Sequence, residues 1–176
     1  MSGPTPASSA HERSVETAGA LVVTVGPLRH EERPALFELF AGIVERGEGY
    51  PQASPLTDAD FDAAWGSDAT AVVVARRHGE LVGAYYLKPN YPGRAAHIAN
   101  AGYVVDPAWR GRGLGRALVE DSLLQAAQLG FDAMQFNLVF VSNPARRMYE
   151  ELGFVVTGRV PAAVEGEDAV IYWRAL

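Results

Sequence analysis

The stretch that decides the fold is VVDPAWRGRGLGRALVE, residues 104–120. An apolar run stops at Asp106-Pro107, the six residues Arg110–Gly115 hold three glycines and two arginines, and a helix-forming sequence follows. A strand, a glycine-rich turn and a helix start form the outline of an anion site. Amides of a first helical turn lack intrahelical partners, and the helix dipole adds partial positive charge. Gly111, Gly113 and Gly115 let the backbone approach a ligand closely, while Arg110 and Arg112 supply longer-range attraction.

Spacing narrows the choice of anion. A dinucleotide fingerprint needs G-x-G-x-x-G, and counting from Gly111 and Gly113 puts Arg116 in place of the third glycine. A Walker loop ends in Gly-Lys-Ser/Thr, whereas Gly115-Arg116-Ala117 offers no hydroxyl for magnesium. What remains is R-x-x-G-x-G, carried by Arg110, Gly113 and Gly115.

Working outward, the run before the turn predicts a strand from about Ala96 to Val105, with Asn100 and Gly102 inside it. A glycine there signals a bulge or a close approach. Ala71–Ala75 and Leu81–Leu87, separated by RRHGE, predict an antiparallel hairpin, and Leu21–Val25 a further strand. Leu36, Leu39, Phe40 and Ile43 recur at helical spacing, and Thr57 or Asp58 caps a second helix ending near Trp65. After the turn, Leu114–Leu129 is helical by composition, and Ala133–Val141 alternates as a strand. Ser142-Asn143-Pro144 opens a short helix that stops at Gly153, and Phe154–Val160 and Ala169–Ala175 close the chain as strands. The implied architecture is an α/β domain with a mostly antiparallel sheet and one parallel step across the Leu114–Leu129 helix.

Composition sets the limits. The chain has 176 residues, 48% of them hydrophobic, which suits a single domain over residues 19–176. Residues 1–18, rich in Ser, Ala, Pro and Thr, read as a flexible tail. The absence of cysteine excludes disulfides, thiolate metal sites and an acyl-cysteine enzyme, and no metal is expected. A net charge of −6 with scattered Lys and Arg argues against a nucleic-acid partner. The chain shows no membrane span and no signal-peptide layout, so the expectation is a cytoplasmic protein.

The R-x-x-G-x-G turn, together with NPARRMYEELGF at Asn143–Phe154, resembles the GNAT superfamily of acetyl-CoA-dependent N-acetyltransferases over about residues 20–176. The resemblance implies a twisted mixed sheet of about seven strands flanked by about four helices. It also implies acetyl-CoA as co-substrate. Its pyrophosphate would lie on Arg110, Gly111, Arg112, Gly113, Leu114, Gly115 and Arg116, and its pantetheine arm along Tyr103, Val104 and Val105. Arg146, at the start of the short helix, is included among the cofactor-binding candidates.

Amine acetylation needs a neutral amine, a polarised carbonyl and an acid for the leaving thiolate. Tyr149 stands where many family members place that acid, although it also shares an apolar face with Met148 and Leu152. The strand 96–105 has no Asp or Glu, and His97 is its one imidazole. Asn100 and Asn137 interrupt runs apolar enough to be buried. They are either hydrogen-bonded core amides or the lining of a catalytic cleft.

KPNYPGR, HIANAGYVV, QFNLVF and VSNPARRMYEELGF are further similar to the branch of the fungal azetidine-2-carboxylate acetyltransferase. That likeness implies substrate contact by Asn100 and donor or active-site roles for Asn137 and Asn143, although Asn143 also reads as a helix N-cap. Tyr50, Tyr85 and Tyr91 are candidate acceptor-pocket walls beside His97. The acceptor is a small amine, with a cyclic imino acid first in view, then an antibiotic or a peptide N-terminus. A homodimer is a further expectation from the family, and a non-catalytic acyl-CoA sensor is the rival reading.

Overall fold

The computed structural model describes residues 11–176. A meander of β2 (Val22–Pro27), β3 (Ala71–Arg77), β4 (Glu80–Pro89) and β5 (Ile98–Val105) is antiparallel throughout. Between β2 and β3 run the helices α1 (Arg33–Glu45) and α2 (Asp58–Trp65), the latter capped by Thr57, whose hydroxyl accepts from the Asp60 amide. Helix α3 (Leu114–Gln128) then crosses to β6 (Ala133–Phe140), which lies parallel to β5. The short α4 (Arg146–Glu151) and the strands β7 (Val155–Val164) and β8 (Glu167–Ala175) complete the chain.

One strand was not expected. Arg13–Glu16 forms β1 and pairs with β2 from Arg13↔Val25 to Glu16↔Val22. It falls within the stretch read as a tail, whose first ten residues lie outside the described ones. Its composition does not announce a strand because its anchors are tertiary. The Arg13 guanidinium bonds the Asp121 carboxylate on α3, with Nε at 2.8 Å from Oδ1, and Thr17 is buried against the glycine turn. The sheet therefore has eight strands rather than about seven, in the order β1-β2-β3-β4-β5-β6-β8-β7.

Each face of the sheet buries its own core. Tyr85, Leu114, Leu118, Phe136 and Tyr172 pack on the α3 side, while Leu36, Phe40, Phe61, Trp65 and Tyr86 pack on the α1–α2 side. Neighbouring strand residues point to opposite faces, so Tyr85 and Tyr86 necessarily enter different cores. No helix among the described residues is long and apolar enough to cross a membrane.

Candidate active site

The site begins where β5 and β6 part. Their pairing consists of Ile98↔Ala133 and Ala99↔Met134, and beyond it the strands diverge. Backbone parity along β5 is set by two hydrogen bonds: the Asn90 amide donates to Ile98 O at 2.7 Å, and the Asp132 amide donates to His97 O at 2.9 Å. Even-numbered peptide groups thus face β4, and odd-numbered ones face β6. With β6 gone, Ala101, Tyr103 and Val105 turn their N–H and C=O groups into the gap. One carbonyl is already taken, since the Tyr50 hydroxyl donates to Tyr103 O at 2.9 Å.

The gap widens into a cleft of about 730 Å³ between β5, β6, the glycine turn, α4 and the loop at residues 47–52. At the turn, Gly111 and Gly113 adopt φ of 73° and 79°, which L side chains disfavour. The first α3 hydrogen bond runs from the Ala117 amide to Gly113 O at 3.1 Å. The amides of Leu114, Gly115 and Arg116 are left without intrahelical partners, as an anion cradle requires. Leu114 contributes only its main chain, because its side chain is fully buried in the core.

Tyr149 lines the cleft from α4 and is buried against Phe136, Phe154 and Tyr172 at ring separations of 4.9, 5.9 and 5.8 Å. Its hydroxyl finds no partner among the described residues. Burial, with Tyr172 nearby, pushes the phenol up, so it stays protonated across the neutral range. The ring packs in the core, and the residue also lines the cleft.

Strands that part beside a glycine-rich helix start, with a buried phenol opposite, can be set against known proteins. The sequence model of the Acetyltransferase (GNAT) family matches residues 33–154. The chain belongs to that family. N-acetyltransferase aca1 of Schizosaccharomyces pombe is 45% identical over 99 residues, covering 52% of this chain and 47% of aca1, so the alignment spans about half of that relative. A GCN5-related N-acetyltransferase from Kribbella flavida superposes with a TM-score of 0.79 at 34% identity, covering 88% of this chain and 98% of its own. The yncA protein of Salmonella typhimurium, solved with its cofactor acetyl-CoA, has a TM-score of 0.78 at 20% identity over 88% of this chain and 94% of its own, which speaks to the fold alone.

In this GNAT chain the three turn arginines have different partners. Arg110 lines the cleft and donates from Nη2 to Glu48 at 2.6 Å. Arg110 and then Arg46 hold the Glu48 carboxyl down at about 2. Arg112 instead stacks over Trp109 at 5.0 Å, and Arg116 pairs with Glu151. Arg146 bonds Tyr172 at 3.1 Å and Val141 O at 3.2 Å, bracing the β6–α4 corner outside the cleft lining.

The asparagines also separate. Asn100 is half-buried in the cleft wall, donating to Gln135 O at 3.0 Å and accepting from the Tyr86 hydroxyl at 3.3 Å. Asn137 is not buried as expected. Strand alternation puts it on the face of Gln135, opposite buried Phe136, where it accepts from Gln135 at 3.0 Å and exchanges two hydrogen bonds with Asn90 at 3.1 and 2.6 Å while still edging the cleft. Asn143 lines the cleft and its Oδ1 accepts from the Ala145 amide at 2.9 Å, but the cap position of α4 is Ala145 and carries no side-chain bond, so Asn143 closes the turn before the helix instead of capping it as expected.

Among the candidate acceptor walls, Tyr50 is in the cleft lining, packed edge-on against Phe40 at 4.8 Å. Tyr85 is not, because strand parity sends it to the α3 side, where it donates to Asp121 at 2.6 Å. Tyr91 and His97 are exposed outside the lining. Tyr91 accepts from Gln135 at 2.7 Å, and His97 lies 3.1 Å from Arg94 O. Sequence reasoning missed Glu48, Gln52 and Tyr86, which all line the cleft. Parity could have found Tyr86, had the face of β4 been known. Gly102 marks a close approach: a Cβ there would lie 2.5 Å from Tyr86 Cε1 and 2.8 Å from the Tyr50 hydroxyl.

Proposed function

We propose that this protein transfers the acetyl group of acetyl-CoA directly to the amine of a small molecule, with a cyclic imino acid such as azetidine-2-carboxylate first among the candidates. The carrying observation is the row of β5 amides turned into the gap beside the free amides of α3. These donors fit a chain of amides and phosphates. The Gly111–Arg116 backbone and Arg110 would hold the pyrophosphate, and the amides of Ala101, Tyr103 and Val105 the pantetheine arm and the thioester oxygen. Acetyl-CoA supplies an activated carbonyl and a thiol leaving group. Tyr149 would protonate that leaving group, and Tyr50 and Asn100 would shape the acceptor end.

Among the described residues the charged ones that line the cleft are Glu48 and Arg110, and they pair with each other. Glu48, held near 2, is too weak a base to deprotonate an alkyl amine whose pKa is ~10. Desolvation or a water relay must therefore supply the neutral amine. The same observation favours one other reading, an acyl-CoA sensor without turnover.

A thiol-release screen with azetidine-2-carboxylate, proline and a panel of primary amines separates the two. Turnover with the imino acids supports the proposal, and turnover only with other amines moves the acceptor. Tight acetyl-CoA binding without any turnover supports the sensor.

A further inference from the structure

The N-terminal hairpin reaches across to the glycine turn. Thr17, only 5% exposed, donates its hydroxyl to Arg112 O at 2.7 Å, while the same oxygen accepts the Leu21 amide at 3.2 Å. The turn Thr17–Leu21 is closed by the Thr17 amide on Leu21 O at 2.8 Å and by the Ala20 amide on Thr17 O at 2.9 Å. The packing is close from both sides. A Cβ on Gly19 would stand 2.8 Å from Arg112 O, and a Cβ on Gly113 would meet Ala18 N and Thr17 Cβ at 3.3 Å. Behind this contact, Arg13 ties β1 to Asp121 in the middle of α3.

A trans peptide is planar, with its C=O and N–H pointing in opposite directions. Anchoring the Arg112 carbonyl to the hairpin therefore aims the Gly113 N–H away from it. Building on the donor site proposed above, we propose that Thr17 is a positioning residue for that site: it orients the Arg112–Gly113 peptide so that its amide faces the donor pyrophosphate. The segment that composition alone presents as a tail is thus a buttress of the binding turn. Thr17 touches no substrate; it acts through the backbone it holds.

The test compares Thr17→Val, Thr17→Ser and the unaltered protein in calorimetric CoA binding and in the dependence of rate on acetyl-CoA concentration. Val fills the same space without the hydroxyl. CoA binding and the KM for acetyl-CoA are expected to worsen by about five- to tenfold, with kcat at saturation retained, and Ser is expected to restore both. If Thr17→Val does not fold, Gly19→Ala pushes on the same carbonyl with Thr17 intact, and the same rise in KM with unchanged kcat is expected.

A lower melting temperature with CoA affinity unchanged in these variants overturns the proposal, because that is what a purely structural hydroxyl would give. Failure of the unaltered protein to bind CoA overturns the donor site itself. Normal binding by the unaltered protein and by both altered turns overturns only the part assigned to Thr17.

Discussion

Glu48 holds Arg110 at the cleft, and removing its charge gives a signed expectation. Its carboxylate accepts from Arg110 at 2.6 Å and from Arg46 Nε at 2.9 Å. Its pKa falls from the ordinary 4.5 to about 2. For a wholly buried group that drop would correspond to roughly 3 kcal/mol. The Glu48 and Arg110 side chains are 37% and 44% exposed, so solvent screening brings the figure down to about 1 kcal/mol or less.

If Arg110 must leave Glu48 to meet the donor pyrophosphate, Glu48→Gln tightens CoA binding by up to about fivefold. The gain should shrink between about 0.05 and 0.5 M salt. As a carboxylate with a depressed pKa, Glu48 contributes stability that is fully present above about 4.5 and is lost as the pH falls through about 2. The difference between variant and parent is therefore flat across neutral pH. Titration calorimetry of CoA at two salt concentrations is the assay. Unchanged or weaker binding by Glu48→Gln would refute the competition and make Glu48 a support of the loop instead.

Four further outcomes can be measured. Tyr149→Phe should keep CoA affinity while cutting turnover by about 10²-fold or more, read by thiol release. Gly102→Ala should displace the Tyr86 and Tyr50 rings, costing about 1–3 kcal/mol in denaturant unfolding and raising acceptor KM. Asp121→Asn leaves Arg13 and the buried Tyr85 hydroxyl without their carboxylate, so melting temperature should fall while the acceptor profile stays the same. Asn100→Ala should raise the KM for the amine and leave CoA binding nearly unchanged, if the part of the cleft wall that Asn100 forms holds the acceptor as proposed.

Much of the proposed donor site was legible in the chain because it is made of backbone. Three glycines between a strand and a helix start leave few geometries, and spacing alone removed the dinucleotide and nucleotide-triphosphate readings. The arginines were a different matter. All three in the turn looked equally available, yet Arg112 stacks on Trp109 and Arg116 pairs with Glu151, and only Arg110 lines the cleft. A long side chain chooses among partners that the sequence brings close only after folding. Val139 shows the limit of periodicity, since the register shift in β6 puts it in the same core as Phe136, three residues before it.

The sequence by itself determined the strand and helix order around the turn and the family, because local propensity, glycine placement and motif spacing are properties of neighbouring residues. The tertiary structure decided which tyrosine faces the cleft, that residues 13–19 support the turn rather than trail from it, and that Glu48 and Arg110 neutralise each other. These are contacts between segments distant in the chain: 95 residues separate Thr17 from Arg112, and 62 separate Glu48 from Arg110. No local pattern encodes them, because their energy exists only once the sheet has brought the partners together.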